Sequence, residues 1–365
     1  MSSKTKKSVE DTYQKHDQKE HIKLRPDTYI GSTKTTGDHT MWLLDKESGL
    51  MRKRNPLYNP GMYKIADEII VNAMDQSTMD PLLNQISITI NKEEGYISVF
   101  NTGKGVPAVI HKKHNVYVPE LIFANLLSSS NYDDTEERKT GGRNGYGAKL
   151  AVIFSTRVEI ETVDIENHKE YKQVFENNMD KINKPEIKSN KSKLGYFKFT
   201  FWPDFKKFGI DGFTDDFVSI IEKRAYDTCA CTHEKVKVLF NNNELKYKSF
   251  KKYIELYLGK EKDGVARAYS SPNEDWEVCV APCNEYNQVS FVNGISTSKG
   301  GSHIDVINAQ VARKVIECVK SKKKYKGIEL ENSYIKNHMF IFIKCSIINP
   351  TFSSQTKEEC NSRAN

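Results

Sequence analysis

The chain has 365 residues, 38% hydrophobic and 28% charged, which is length enough for two domains with separate cores and an ordinary globular balance. No apolar run approaches the ~20 residues of a membrane span, and the polar, lysine-rich start "MSSKTKKSVEDTYQKHDQ" lacks the apolar stretch of a secretory signal. A net charge of +7 permits a polyanionic partner without demanding one, and seven scattered cysteines, an odd number, read as reduced intracellular thiols.

In chain order, residues 1–24 read as a flexible arm, and "RPDTYIGS" (25–32) as a turn leading into a short element. "NPGMYKIADEIIVNAMDQ" (59–76) opens with a turn and continues as a mostly apolar helix. "QISITI" (85–90) and "YISVF" (96–100) alternate around a turn, the pattern of a β-hairpin. "VPELIFANLL" (118–127) predicts a helix with Pro119 in its first turn. The polar stretch 128–147 is long enough for a structureless loop to be functional or disordered, and "AKLAVIF" (148–154) is a helix starting directly on it. "RVEIETVD" and "GYFKFTFWP" alternate as strands, "DDFVSIIEKRAYD" (215–227) is an amphipathic helix, and "KVKVLFN" (235–241) another strand. Near residue 245 the character changes to strands "WEVCVA" and "QVSFVN", a Gly-Ser loop, a helix over 303–319 and an apolar strand over 338–347. The pattern predicts an α+β fold: a sandwich up to about residue 245, then a smaller β-rich domain with one long packed helix. Cys229, Cys231 and His233 alternate, with Cys279 and Cys283 further on, but the spacings match no standard zinc pattern. Alternate positions on a strand explain the first cluster equally well.

Three stretches carry candidate chemistry. Glu68, Asn72 and Asp75 are spaced i, i+4, i+7 and share one face of a helix otherwise filled by Ile65, Ile69, Ile70, Val71 and Met74. That face is either the solvent side of an amphipathic helix or a site; a helix apolar nearly all round argues against plain solvent. "NTGKGVP" (101–107) ends a strand with a GxG, which marks a turn or a close backbone approach to a ligand, and Asn101 offers acceptor and donors to a base edge. "TGGRNGYGAKL" (140–150) has the composition of a phosphate loop but fits neither common design. Ala148 stands where a P-loop lysine belongs, and Leu150 where a dinucleotide fingerprint needs its third glycine. The loop runs into a helix start at Ala148, whose free N–H groups favour an anion.

Taken in order, these motifs resemble the ATP site of the gyrase, heat-shock chaperone, histidine-kinase and mismatch-repair superfamily (GHKL). With "EHIKLRPDTYIGS", "YVPELIFANLLSSSNYDD", "SFVNGISTSKGGSHID" and "NPTFSSQTKE" they resemble, from about residue 12 to Glu358, the ATPase region of eukaryotic-type type II DNA topoisomerases. A chaperone or mismatch-repair clamp would share none of the contiguous "GGRNGYGAKL" and "SKGGSHID" matches. The resemblance implies a GHKL (Bergerat) α/β sandwich over 25–245 and a ribosomal-protein-like β-α-β transducer over 246–365, preceded by an arm over 1–24. It implies ATP and Mg²⁺ as ligands, with Glu68 as general base, Asn72 as the Mg²⁺ ligand and Asn101 on adenine. Ser129, Ser130 and Asn131 match residues lining ribose and phosphates. Arg143, Asn144, Gly145, Tyr146, Gly147, Ala148 and Lys149 match a lid over the triphosphate, expected to order when nucleotide binds. Gln355 and Lys357 of "QTK" match a pair reaching in from the second domain, with Lys357 on the γ-phosphate.

Implied partners are a DNA duplex, faced by Lys322, Lys323, Lys324 and Lys326, a second copy reached through the N-terminal arm with Tyr13 and Gln14, and the cleavage–religation part of a topoisomerase. No membrane is implied. Gln76 and Thr102 depart from the family pattern as polar swaps. The chain stops eight residues after Lys357 and shows no DxD carboxylate cluster, so this chain alone is not expected to cut or pass DNA. The expected location is the nucleus in a cellular eukaryote, or a viral replication site. The alternative is an ATP-dependent DNA clamp or interaction module without topoisomerase activity of its own.

Overall fold

The structure, a computed structural model, describes residues 15–126, 139–142, 145–262 and 264–362. Tyr13, Gln14, Ser129, Ser130 and Asn131, and of the expected lid Arg143 and Asn144, lie outside the described residues.

The end of the expected flexible arm is a helix. α1 (Gln18–Leu24) opens with a capping box in which Asp17 Oδ1 accepts from the Glu20 amide (2.8 Å) and Glu20 Oε2 from the Asp17 amide (3.3 Å). Asp17-x-x-Glu20 was the sequence signal for it. Ile22 is fully buried, and Lys19 and Lys23 pair with Asp180 at 2.8 and 2.9 Å. α2 (Pro26–Ile30) follows, then a hairpin of β1 (Met41–Asp45) and β2 (Leu50–Arg54).

α3 (Pro60–Met79) starts where Asn59 caps the Met62 amide (3.1 Å) and Pro60 pre-sets the first turn. β3 (Gln85–Asn91) and β4 (Tyr96–Gly103) form the expected antiparallel hairpin. A two-residue ribbon, β5 (Ile110–His111) and β6 (Val116–Tyr117), leads into α4 (Val118–Ala124), which ends earlier than expected because Asn125 turns extended. α5 (Gly147–Ile153) is followed by β7 (Ser155–Asp164), β8 (Lys169–Glu176), β9 (Lys181–Ile182), β10 (Glu186–Ser189) and β11 (Gly195–Pro203). α6 (Asp215–Cys231), capped by Thr214, precedes β12 (Lys237–Phe240) and β13 (Asn243–Glu244).

These strands make one nine-stranded sheet in the order β10-β8-β7-β11-β4-β3-β12-β13, with β9 beside β8. Every pairing is antiparallel except β12 on β3. The alternating burial along β3 and β8 marks a sheet with one covered face. α3, α5 and α6 pack on it through Ile65, Ile69, Leu150, Phe217 and Ile221, around Ile88, Val99, Ile160 and Phe199.

The second sheet begins after α7 (Phe250–Leu258) and contains β14 (Ala268–Asn273), β15 (Trp276–Pro282), β16 (Asn287–Val292) and β17 (Ile295–Ser296). β18 (Gly300–Gly301), α8 (Ser302–Ser321) and α9 (Asn332–Asn337) lead to β19 (Met339–Cys345), and β20 (Glu359–Cys360) pairs back onto β18. The order is β14-β15-β19-β16-β17, with β16 and β19 parallel, so α8 lies in a β-α-β crossover. The core beneath it draws in the distant β1–β2 hairpin: Met51 is buried there, and Trp42 stacks on Phe340 with ring centroids 5.1 Å apart. Cys229 and Cys231 are not on a strand. They close the last turn of α6, where burial pushes both thiols up to about 12.

Candidate active site

A cavity of about 870 Å³ opens between α3, the end of β4, α4, the start of α5 and the 355–357 loop. Glu68, Asn72 and Asp75 all line it, so the polar face of α3 is a site face and not its solvent side. Glu68 and Asp75 are 4% and 8% exposed. Asn101 lines it from the end of β4 beside an apolar wall that includes Phe123 and Phe197, stacked at 5.2 Å. Gly145, Tyr146, Gly147, Ala148 and Lys149 line it from the start of α5, and Gln355 and Lys357 from the far loop. Tyr146 also accepts a 2.5 Å hydrogen bond from Gln18, which brings α1 to the lid side of the cavity.

Glu68 sits between two buried ammonium groups. Lys64, one helical turn earlier, places Nζ 2.5 Å from Oε1, and Lys357 places its Nζ 3.6 Å from the same oxygen. Burial alone would raise the Glu68 carboxyl, but Lys357 and Lys64 outweigh it and hold it down at about 2. Lys357 also donates to the Gly141 carbonyl (3.3 Å), from a backbone at φ +61°, a left-handed conformation unusual for a lysine and costing of order 1–3 kcal/mol. Across from Glu68, Gly147 leaves no room for a side chain.

Asp75 clasps the start of the lid: its two oxygens accept from the Gly141 and Gly142 amides, both at 2.9 Å. Burial raises its carboxyl to about 6, although the two amides act in the opposite sense. Lys149 is buried, donates to the Gly145 carbonyl at 2.6 Å, and is lowered by burial to about 8.

The glycines of "NTGKGVP" are pressed against other parts of the protein, although Gly105 also lines the cavity. A side chain at Gly103 would meet the Asp80 carboxylate, and one at Gly105, at φ +81°, the Val163 carbonyl. Thr102 is a structural tie, accepting from the Asn84 and Gln85 amides at 3.0 Å, whereas Gln76 lines the cavity. Lys322, Lys323, Lys324 and Lys326 are exposed just beyond α8 and take no part in the cavity. Sequence reasoning missed Lys64, although its i−4 spacing from Glu68 was visible. It also missed Arg224, a fully buried cation on α6 that pairs with Asp67 at 2.6 Å and has no local signal.

The two carboxyl groups give opposed pH effects. Glu68 falls from 4.5 to about 2 on folding, so its contribution is in place above about pH 4.5 and is lost as pH drops toward 2. Asp75 rises from 3.8 to about 6, so its contribution is full below about pH 4 and is lost as pH rises through about 6. In urea unfolding the wild type should therefore lose stability relative to Asp75→Asn by on the order of 3 kcal/mol between about pH 4 and 7, while His303, lowered by burial to about 4, acts in the opposite sense in both proteins alike. Parallel curves for the two proteins would contradict it.

A family profile described as DNA gyrase B matches residues 236–365. The chain is 46% identical over 359 residues to "DNA topoisomerase 2" of Arabidopsis thaliana, covering 96% of this chain and 24% of that protein. It is 44% identical over 372 residues to "DNA topoisomerase 2" of Saccharomyces cerevisiae, covering 98% and 26%. The chain thus spans about a quarter of the length of the curated relatives it matches. The solved ATPase region of Saccharomyces cerevisiae topoisomerase II superposes with a TM-score of 0.91 at 44% identity, over 98% of this chain and 91% of that one. The ATPase and transducer domains of DNA topoisomerase II from Balamuthia mandrillaris do so with 0.91 at 38% identity, over 98% and 90%. Fold and site together define a GHKL-type α/β sandwich ATPase followed by a β-α-β transducer. At 44% identity across nearly the whole length of both chains, the protein belongs to the family of type II DNA topoisomerase ATPase regions.

Proposed function

We propose that the chain binds ATP with Mg²⁺, hydrolyses it, and serves as the ATP-operated N-terminal gate of a type II DNA topoisomerase. The observation that carries this reading is a buried carboxylate, Glu68, set between two lysines inside a cavity whose rim is the glycine-rich start of a helix. Adenine would lie at Asn101, and the phosphates at the amides that open α5. Glu68 would accept a proton as the water oxygen bonds to the γ-phosphorus and the bond to ADP breaks, giving ADP and phosphate. A carboxyl held at about 2 is a weak base; Lys357, once drawn to the γ-phosphate, would release Glu68 to act. Asn72 would hold the Mg²⁺, which neutralises phosphate charge. A neutral amide oxygen suits a hard, largely hydrated ion, and Asn72 lines the same cavity as Glu68.

The division near residue 245, the dimer formed through the N-terminal arm, the cleavage–religation partner and a nuclear site of action belong to the same reading. Among the described residues no helix is long and apolar enough to cross a membrane. Steady-state ATPase against protein concentration tests the gate. A rate per subunit that rises with concentration supports it, while negligible turnover despite tight binding of a non-hydrolysable analogue supports the clamp module instead. For DNA, replacing Lys322, Lys323, Lys324 and Lys326 with Ala should weaken binding equally across sequences. The slope of log affinity against log salt should fall by roughly 3 to 4 if all four meet phosphates. An unchanged slope would remove them from the DNA path.

A further inference from the structure

Arg224 has no solvent exposure, and the hydrolysis chemistry above does not use it. Its guanidinium joins both layers. Nε donates at 2.6 Å to Oδ1 of Asp67, the residue next to Glu68 on α3. Nη2 donates at 3.0 Å to the carbonyl of Gly294, in the turn between β16 and β17 of the second sheet. Nη1 has no hydrogen-bond acceptor among the described residues and lies 4.0 Å from Asp227 Oδ2.

Each end of this bridge leads to the cavity. On the α3 side, Lys64 lies 4.0 Å from Asp67 Oδ2 and 2.5 Å from Glu68 Oε1. On the other side, the turn is seated against α3, since a side chain at Gly294 would fall 2.6 Å from Met74 Cε. Asn293, its neighbour, donates to the carbonyls of Thr140 (3.3 Å) and Ile347 (2.9 Å) and accepts from the Ile347 amide (2.8 Å). Thr140 opens the lid, and Ile347 begins the segment that carries Lys357.

A planar guanidinium can hold two acceptors at fixed angles, which an ammonium cannot. Losing either acceptor would strand a buried charge, so arrangements in which the layers slide apart are disfavoured. We propose that Arg224 is a positioning residue that locks α3 to the Gly294 turn, so that Glu68 and Lys357, carried by different layers, stay in register for hydrolysis. This rests on the reading of Glu68 and Lys357 as the hydrolytic pair.

The test is a kinetic cycle of wild type, Arg224→Lys, Lys357→Met and the double variant. Arg224→Lys should lower kcat about tenfold to a hundredfold, while KM for ATP and the affinity for a non-hydrolysable analogue move less than about threefold. In the Lys357→Met background it should add no further loss. A wild-type kcat in Arg224→Lys, or losses that multiply in the double variant, would overturn the proposal and leave the hydrolytic pair standing. A wild-type rate in Lys357→Met would overturn the pair itself, and the register argument with it. Should Arg224→Lys melt early, Asp67→Asn takes its place in the cycle, because it turns the charged tie to α3 into a weaker neutral hydrogen bond while Arg224 keeps the Gly294 carbonyl.

Discussion

Glu68→Gln is expected to lower kcat for ATP hydrolysis by about a hundredfold to ten-thousandfold, the range of a lost general base, with nucleotide affinity little changed. The glutamine keeps the shape of the glutamate and an oxygen for Lys64 or Lys357, but it cannot take the proton of the attacking water. Glu68→Ala should abolish turnover as well, yet it is the poorer test. It would leave two lysines buried without their shared anion, and breaking a buried pair costs about 3–5 kcal/mol. A thermal melt beside the rate separates a lost base from a lost fold. A Glu68→Gln protein that turns over at the wild-type rate would exclude this carboxylate as the base.

Gly147→Ala is expected to reach nearly the same loss while every catalytic side chain keeps its chemistry. The added Cβ would lie 2.1 Å from Glu68 Oε2 and 3.2 Å from Glu68 Cβ. α5 cannot retreat, because Ala148, Lys149, Leu150, Ala151, Val152 and Ile153 are all buried. Glu68 must therefore move, and a displacement on the order of 1 Å costs about a hundredfold in rate. The sign of the stability change is diagnostic. Ordinary helix propensity favours Ala over Gly by roughly 0.8–1 kcal/mol, whereas overpacking a filled interior costs about 1–3 kcal/mol. A higher melting temperature with unchanged kcat would show that the glycine is not needed for space.

These predictions combine parts read in the sequence with parts that only the fold supplies. Glu68, Asn72 and Asp75 were legible because helical spacing alone places them on one face, and an apolar helix all round them implied a covered site. The role of Asp75 was not. Its two bonds run to Gly141 and Gly142, well over sixty residues away, and no local pattern encodes such a pair. The GxG glycines were legible as a special turn, but not that Asp80 and Val163 are what they approach. Cys229 and Cys231 misled because an alternating pair fits a strand as well as the end of a helix. There, tertiary burial of α6 overrode the short-range pattern. The helix at Gln18–Leu24 went unread although its capping box was present, because a lysine-rich start suggested solvent, and only packing of Ile22 and the Asp180 pairs explains why the segment stays ordered.

By itself the sequence determined what is local or contiguous: the hairpin, the main helices, the polar face of α3, and motifs long enough to point to one family. Tertiary structure alone decided the electrostatics. Whether Glu68 is a free carboxylate or one held at about 2 depends on Lys357, nearly three hundred residues away, and whether the layers act together depends on one arginine meeting Asp67 and Gly294 at once. The reason is physical. Secondary structure follows from spacing along the chain, whereas the energy of a buried charge is set by whichever groups the folded chain brings within a few ångströms.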